Sequence, residues 1–295
     1  MPDAVVEGHY REQAALGALV ARRVGQLWSR VSPADVSAWA ALQPQAVSLV
    51  VSGQLVAAQA AEGYVGASLA AQGVTVAADA VVAPAGFAGM SNLGVPVADV
   101  LDAPRVRALT AIGAGVPPRA AVEAAGRSLQ SAAVSLVQDA GRQADSVAIA
   151  ARPRVGWTRM VQPPCCSRCA VLAGRFYRFN DGFQRHPRCD CRHIPAVEDT
   201  VGSVSTDPSA LFGSGQVTGL RVAQARAIGD GANPAQVVNA DRGRSRTGMS
   251  TTESTTRRGV GRGRRGVRLT PDAIYAQAGS RDEALELLRA NGYLR

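Results

Sequence analysis

The five cysteines of this 295-residue chain all fall between Cys165 and Cys191, in company with two of its three histidines. They read C-C-S-R-C at Cys165, Cys166 and Cys169, then sixteen residues, then H-P-R-C-D-C-R-H at His186, Cys189, Cys191 and His193. Thiolates three apart can grip one zinc ion from a tight turn, while Cys189 and Cys191, two apart on an extended strand, point to the same side. Two such halves make a tetrahedral site. The spacing therefore predicts a structural zinc held by Cys166, Cys169 and two ligands from His186, Cys189, Cys191 and His193. Because the second half offers C-x-C with flanking histidines rather than C-x-x-C, two other readings stand beside it. One is a group of buried apolar cysteines or a disulfide pair. The other is a Cys/His nucleophilic dyad, which needs a lowered thiol pKa and a base within hydrogen-bond reach.

The elements that must position this cluster follow from composition and pattern. Hydrophobic residues make up 46% of the chain but aromatics only 4%, so its alanine and valine suit slender, closely packed helices with thin cores better than a large enzyme interior. No apolar run reaches bilayer length, and Met1 to Arg30 lacks a charged start followed by a compact hydrophobic stretch and cleavage site. A cytoplasmic origin with reduced thiols is the expectation, and it favours metal over disulfides.

Every basic side chain other than histidine is arginine; lysine does not occur. Arginine keeps its charge and makes forked contacts with phosphate. Nine arginines lie between Asp241 and Arg268 against only Asp241 and Glu253, a net +7 of the chain's +9. Attraction to a polyanion is thus concentrated in one segment, with Arg257, Arg258, Arg262, Arg264 and Arg265 the candidate contacts to double-stranded DNA, made without sequence preference. The alternative for this stretch is a solvated linker.

Leu16, Val20, Val24, Leu27 and Val31 recur at helical spacing and predict a helix from Ala4 to about Val31. Ser32-Pro33-Ala34-Asp35 reads as the start of a second helix, and Pro44 opens a third or kinks the second. Gln45 to about Gln72 is alanine-rich and helical. Gly73 to Pro96 reads as a loop with a short strand at Val74 to Val76. Val97 to Gly113 is the next helix, and Pro117-Pro118 opens a long one. Its packed face carries Val122, Leu129, Ala133, Leu136, Ala140 and Val147, with Arg127, Asp139 and Arg142 on other faces.

From Arg152 to Pro195 the character changes: Trp157, Phe176, Tyr177, Phe179 and Phe183 supply five of the thirteen aromatics around the cysteines, as in a small module built next to a metal. Helix resumes at Arg221 to Ile228 and after Asn233-Pro234. Asp241 to Gly266, almost without apolar residues, should not form a packed structure by itself. Thr270-Pro271 and the capping box from Ser280 to Glu283 then set a helical hairpin ending at Asn291-Gly292. The expected fold is mainly α with a small α+β zinc-stapled module. Its parts are a helical body over 1–151, a Cys/His module over 152–200, a short helical segment over 201–240, a basic flexible linker over 241–268 and a C-terminal helical element over 269–295.

The run from Trp157 to Pro195, with C-S-R-C-A-V-L-A-G-R-F-Y and then F-Q-R-H-P-R-C-D-C-R-H-I-P, resembles the MuF-like minor capsid and head-morphogenesis proteins of tailed bacteriophages, especially those encoded near the portal gene in phages of actinobacteria. Asp207 to Leu220 and Leu269 to Tyr275 share the resemblance; the N-terminal half shares only its length and helicity. The resemblance implies a virion component present in few copies inside the capsid at the portal vertex, and in the host cytoplasm during assembly. Its implied partners are the portal protein and the major capsid or scaffold protein, with no membrane, and its role would be procapsid assembly or DNA packaging and ejection.

Genes of this kind are also described as capsid maturation proteases. A serine protease needs a serine, a histidine base and an orienting partner, yet only His9 lies outside the cluster and no G-x-S-x-G elbow occurs. The base would be His186 or His193, taken from the metal. A zinc hydrolase or nuclease needs carboxylates at an open metal position, for which Asp190, Glu198 and Asp199 are near in sequence. Another nucleic-acid-binding zinc protein is the remaining alternative.

Overall fold

The computed structural model describes residues 2–178, 191–204, 206–253 and 267–294. It is mostly helical, with a few small sheets. The first elements in chain order are α1 (Pro2–Trp28), α2 (Trp39–Gln59), α3 (Ala61–Ala70), α4 (Val97–Gly113), α5 (Pro118–Ala150), β1 (Gly156–Met160), β2 (Cys165–Cys166) and α6 (Ser167–Leu172). They continue as β3 (Phe176–Tyr177), β4 (Arg192–Ala196), α7 (Val201–Val204), α8 (Pro208–Gly213), β5 (Val217–Thr218), α9 (Val222–Gly229) and α10 (Pro234–Asn239). The last are β6 (Ser250–Thr251), β7 (Arg268–Leu269), α11 (Pro271–Gln277) and α12 (Arg281–Ala290).

The chain forms two compact units, one from Met1–Thr158 with Phe176–Val204, the other from Arg159–Arg175 with Ser205–Arg295. The predicted Cys/His module over 152–200 therefore contributes residues to both.

In the first unit, α1, α2 and α4 pack on the long α5. The core is alanine and valine organised around two indoles: Trp28 and Trp39 meet edge to face, with ring centroids 5.1 Å apart. Each buried indole also needs a partner for its N–H. Trp28 donates to the Val122 carbonyl at 3.0 Å and Trp39 to that of Leu101 at 3.1 Å. Gly126 makes room for this arrangement, since a Cβ there would lie 2.8 Å from Trp28 Cδ1. The unit's sheet has the order β3-β1-β4, with Trp157 opposite Tyr177 and Thr158 opposite Phe176 in an antiparallel register.

Several local expectations change in the structure. Ser32 makes a turn rather than a helix cap, its hydroxyl accepting from Ala34 N. Asp35 instead caps a 3-10 turn, Val36–Ala38, that runs into α2. Pro44 lies inside α2, and the break falls later, at Ala60. Val74 to Val76 form no strand: Gly73 takes φ 73° and the Val74 N–H bonds back to the Leu69 carbonyl, closing the preceding helix. Val147 is 44% exposed, whereas Asp139 and Arg142, assigned to other faces of α5, are buried.

In the second unit, α9, α10, α11 and α12 share one core, with Ala227, Val237, Ile274, Leu288 and Tyr293 at its centre. The expected caps are present at Asn233, Thr270 and Ser280, which accept from Gln236 N, Ala273 N and Glu283 N. Asp241–Glu253 is not the unpacked stretch that its composition predicts. Arg221 and Arg244 clasp Asp241 and Asp272, and β6 pairs with β7. Arg268 donates to the carbonyls of Glu253 and Asn291 and lies over the Tyr293 ring, 4.2 Å from its centroid. This order comes from ion pairs and backbone bonds, which apolar content does not register. Among the described residues, no helix is long and apolar enough to cross a membrane.

Candidate functional site

The first Cys half-site lies in the second unit. β2 pairs in parallel with β5, Cys165 opposite Val217 and Cys166 opposite Thr218, which fixes the strand that leads into α6. Cys166 is the cap of α6, and its Sγ accepts the Cys169 N–H at 3.4 Å. The C-x-x-C turn thus brings Cys166 and Cys169 together. Cys165 and Cys169 are buried and Cys166 is half-buried.

Cys191 and His193 belong to the first unit and are buried, at 3% and 0% exposure. Their strand is clamped by the helical body through its carbonyls. Arg142 Nε, from α5, donates to the Cys191 carbonyl at 2.9 Å; the Tyr64 hydroxyl, from α3, donates to that of His193; Gln72 Nε2, just after α3, donates to that of Pro195 at 2.7 Å. Carbonyls two apart share one strand edge, so three side chains satisfy that edge where a further strand would otherwise pair.

The clamp is buried and polar. Arg142 is balanced by Asp139 at 3.1 Å and also reaches the Gln138 side-chain oxygen at 3.3 Å. Tyr64 lies parallel to the His9 ring at 3.8 Å, and His9 Nε2 is 3.2 Å from Asp145 Oδ2. Burial, then the charge of Asp145, hold the Tyr64 hydroxyl well above its ordinary pKa, with Arg192 opposing. The phenol therefore stays protonated and remains a donor. The His193 ring meets the Trp157 ring edge to face at 4.6 Å, and its Nε2 is 3.2 Å from Ser146 Oγ.

No disulfide joins any two of Cys165, Cys166, Cys169 and Cys191. His186, Cys189 and Asp190 lie outside the described residues, as do Phe179, Phe183 and all five candidate DNA contacts, Arg257, Arg258, Arg262, Arg264 and Arg265. Among the described residues, no group of three or more His, Cys, Asp and Glu side chains is gathered to hold a metal. The two carboxylates considered for a hydrolytic site that are described, Glu198 and Asp199, are exposed on the turn after β4. Thiolate sulfur and neutral imidazole nitrogen, the donor types of Cys166 and Cys169 in the second unit and of Cys191 and His193 in the first, are ones that zinc takes.

Sequence reasoning missed the clamp of Tyr64, Gln72 and Arg142, and the contact of Ser146 with His193. A signal was present: Gln138, Asp139, Arg142 and Asp145 interrupt the apolar face of α5 within two turns, and buried polar residues so placed need partners.

The fold and site define a helical body that grips a Cys/His strand. The chain belongs to the VG15 protein family, whose sequence model matches residues 1–214. That family is one of viral, phage-encoded gene products. No curated protein and no solved structure matches the chain.

Proposed function

We propose that this chain is a MuF-like minor capsid protein of the phage head, associated with the portal and acting in procapsid assembly or in DNA packaging and ejection. The observation that carries this reading is family membership across residues 1–214, a span that takes in the helical body and the whole Cys/His run. The residues of that run carry the likeness to head-morphogenesis proteins. Portal protein and major capsid or scaffold protein are the partners, and the capsid interior at the portal vertex is the location. A phage with the gene disrupted should make heads that lack DNA or fail to assemble. Isolated wild-type procapsids should contain the chain in few copies; procapsids and virions free of it would sink the reading.

In this reading one zinc ion, held by four of Cys166, Cys169, His186, Cys189, Cys191 and His193, is structural. When bound it would supply folding free energy to the run. Elemental analysis of native protein should find about one zinc per chain; protein without zinc and with freely titrating thiols would remove the metal from the proposal. The segment with Arg257, Arg258, Arg262, Arg264 and Arg265 binds packaged double-stranded DNA through phosphates.

A second reading, the capsid maturation protease, starts from the contact between Ser146 and His193. A nucleophilic serine must give its proton to the imidazole. Ser146 Oγ instead donates to the Arg142 carbonyl at 2.9 Å, which leaves the ring as the donor in that contact. Accumulation of uncleaved capsid precursor in a Ser146→Ala phage whose mutant protein still folds would favour the protease.

A further inference from the structure

We infer that Arg242 and Arg246 form a fixed phosphate contact on the second unit, through which that unit grips the backbone of double-stranded DNA beside the arginine-rich segment. This rests on the DNA reading of that segment and adds two residues that the fold itself holds in place.

The nine arginines from Asp241 to Arg268 have different roles. Two are consumed by the fold. Arg244 pairs with Asp241 and Asp272, at 3.7 and 3.4 Å, in the clasp that Arg221 completes. Arg268 donates to the carbonyls of Glu253, Asn291 and Gln236 and covers the Tyr293 ring. Arg242 and Arg246 are both exposed, and among the described residues neither has an ion-pair partner. The carboxylates of Asp241 and Asp272 are already matched by Arg221 and Arg244, so the charges of Arg242 and Arg246 stand uncompensated.

Their backbone is ordered. Arg242 lies in the 3-10 turn Ala240–Gly243, whose last carbonyl accepts from Thr252 N at 3.0 Å. Arg246 lies on the turn between Arg244 and β6. There Ser245 N donates to the Ser250 carbonyl at 2.8 Å, Gly248 N donates back to the Ser245 carbonyl at 2.9 Å, and Gly248 takes φ 75°. This turn is fastened to the start of α11, because the Thr270 N–H and hydroxyl donate to the carbonyls of Met249 and Gly248 at 3.1 and 2.7 Å. An arginine on such a frame loses only side-chain freedom when it meets a phosphate, whereas one on an unpacked chain must also order its backbone.

The position suits the same partner as the segment. Residues 254–266 lie between β6 and β7 in the chain, and those strands pair antiparallel, Ser250 opposite Leu269 and Thr251 opposite Arg268. The described residues on either side of the segment thus belong to the frame that carries Arg242 and Arg246. No aromatic residue lies between Ala240 and Glu253, so this surface meets phosphates and reads no base sequence.

The test uses the full chain and a fluorescent DNA duplex of arbitrary sequence, with binding measured across a salt series. Arg242→Gln combined with Arg246→Gln should flatten the log–log slope by about 1.8 and leave thermal unfolding unchanged. Arg242→Lys combined with Arg246→Lys should keep the wild-type slope, since each side chain retains its charge. A folded glutamine double variant with the wild-type slope overturns the inference. Glutamine at Arg257, Arg258, Arg262, Arg264 and Arg265 reports separately on the segment: an unchanged slope there, with a flattened one in the double variant, supports the inference and overturns the segment's part. In wild-type protein labelled with nitrogen-15 arginine, the Nε–H signals of Arg242 and Arg246, assigned with single lysine variants, should shift when duplex is added. Unshifted signals overturn the inference even if the glutamine variant fails to fold, and wild-type protein that binds no duplex overturns both readings.

Discussion

The Arg142 guanidinium, buried on α5, donates to the main-chain carbonyl of Cys191 at 2.9 Å while pairing with Asp139 at 3.1 Å. One side chain thus neutralises a buried carboxylate and holds the end of the Cys/His strand. Arg142→Met keeps the apolar stem but breaks the buried pair with Asp139 and the bond to the Cys191 carbonyl, which should cost about 3–5 kcal/mol. Chemical denaturation measures it. A loss below about 1 kcal/mol would show that the pair contributes little to the fold.

Gly126 and Trp28 supply a case in which two effects compete. Alanine has a higher helix propensity than glycine by about 1 kcal/mol in a helix interior, and on α5 that favours Gly126→Ala. Its Cβ would lie 2.8 Å from Trp28 Cδ1 and 2.9 Å from Nε1, whose N–H holds the Val122 carbonyl. An indole wedged in a core cannot swing aside, and overpacking costs roughly 1–3 kcal/mol. The variant should therefore be less stable than wild type in thermal unfolding. By contrast Gly66→Ala, on α3 with nothing within 4 Å of the new Cβ, should be neutral or stabilising.

The contrast between α5 and β4 explains how much could be read in advance. Leu129, Ala133 and Leu136 announce α5 because its packed face repeats at helical spacing, and the caps at Asn233, Thr270 and Ser280 are local chemistry visible in a few residues. The Cys/His run was visible by residue type, and Cys166 with Cys169 was legible as a turn because the contact spans three residues. Tyr64 and His193 meet across a large sequence separation, so no window of sequence contains that contact. The order of Asp241–Glu253 was hidden for a different reason. Arg221, outside the segment and 20 residues before Asp241, balances that carboxylate, and composition read within the segment misses it.

Tyr293 should make the C-terminal core sensitive to alkali. Burial, its largest cause, pushes the phenol up to about 12, against an ordinary value of 10.0. The unfolded chain then loses this proton first, so the stabilisation is complete below pH 10 and is lost as pH rises toward 12. The size is on the order of 2–3 kcal/mol. Tyr293 also donates to the Leu269 carbonyl at 2.9 Å, a bond that ionisation ends. Denaturation midpoints of this unit should fall across that range, and Tyr293→Phe should be less stable at neutral pH but flatter in alkali. A wild-type midpoint constant from pH 9 to 12 would contradict the argument.

DNA binding, if it belongs to the arginine segment, should be a matter of counting charges. Arg257, Arg258, Arg262, Arg264 and Arg265 lie among glycine, serine and threonine, with no aromatic residue for stacking on bases. Such a segment meets phosphates and offers nothing that reads a sequence. Affinity should be nearly equal for unrelated duplexes and should fall steeply with salt, with a log–log slope of about −0.9 for each phosphate neutralised. Replacing all five arginines by glutamine should flatten that slope by roughly 4.5 units if each meets one phosphate. It should leave thermal unfolding unchanged in the second unit, whose described ion pairs use Arg221, Arg244 and Arg281 instead. An unchanged slope with normal packaging would return the segment to a solvated linker, its charge serving only solubility.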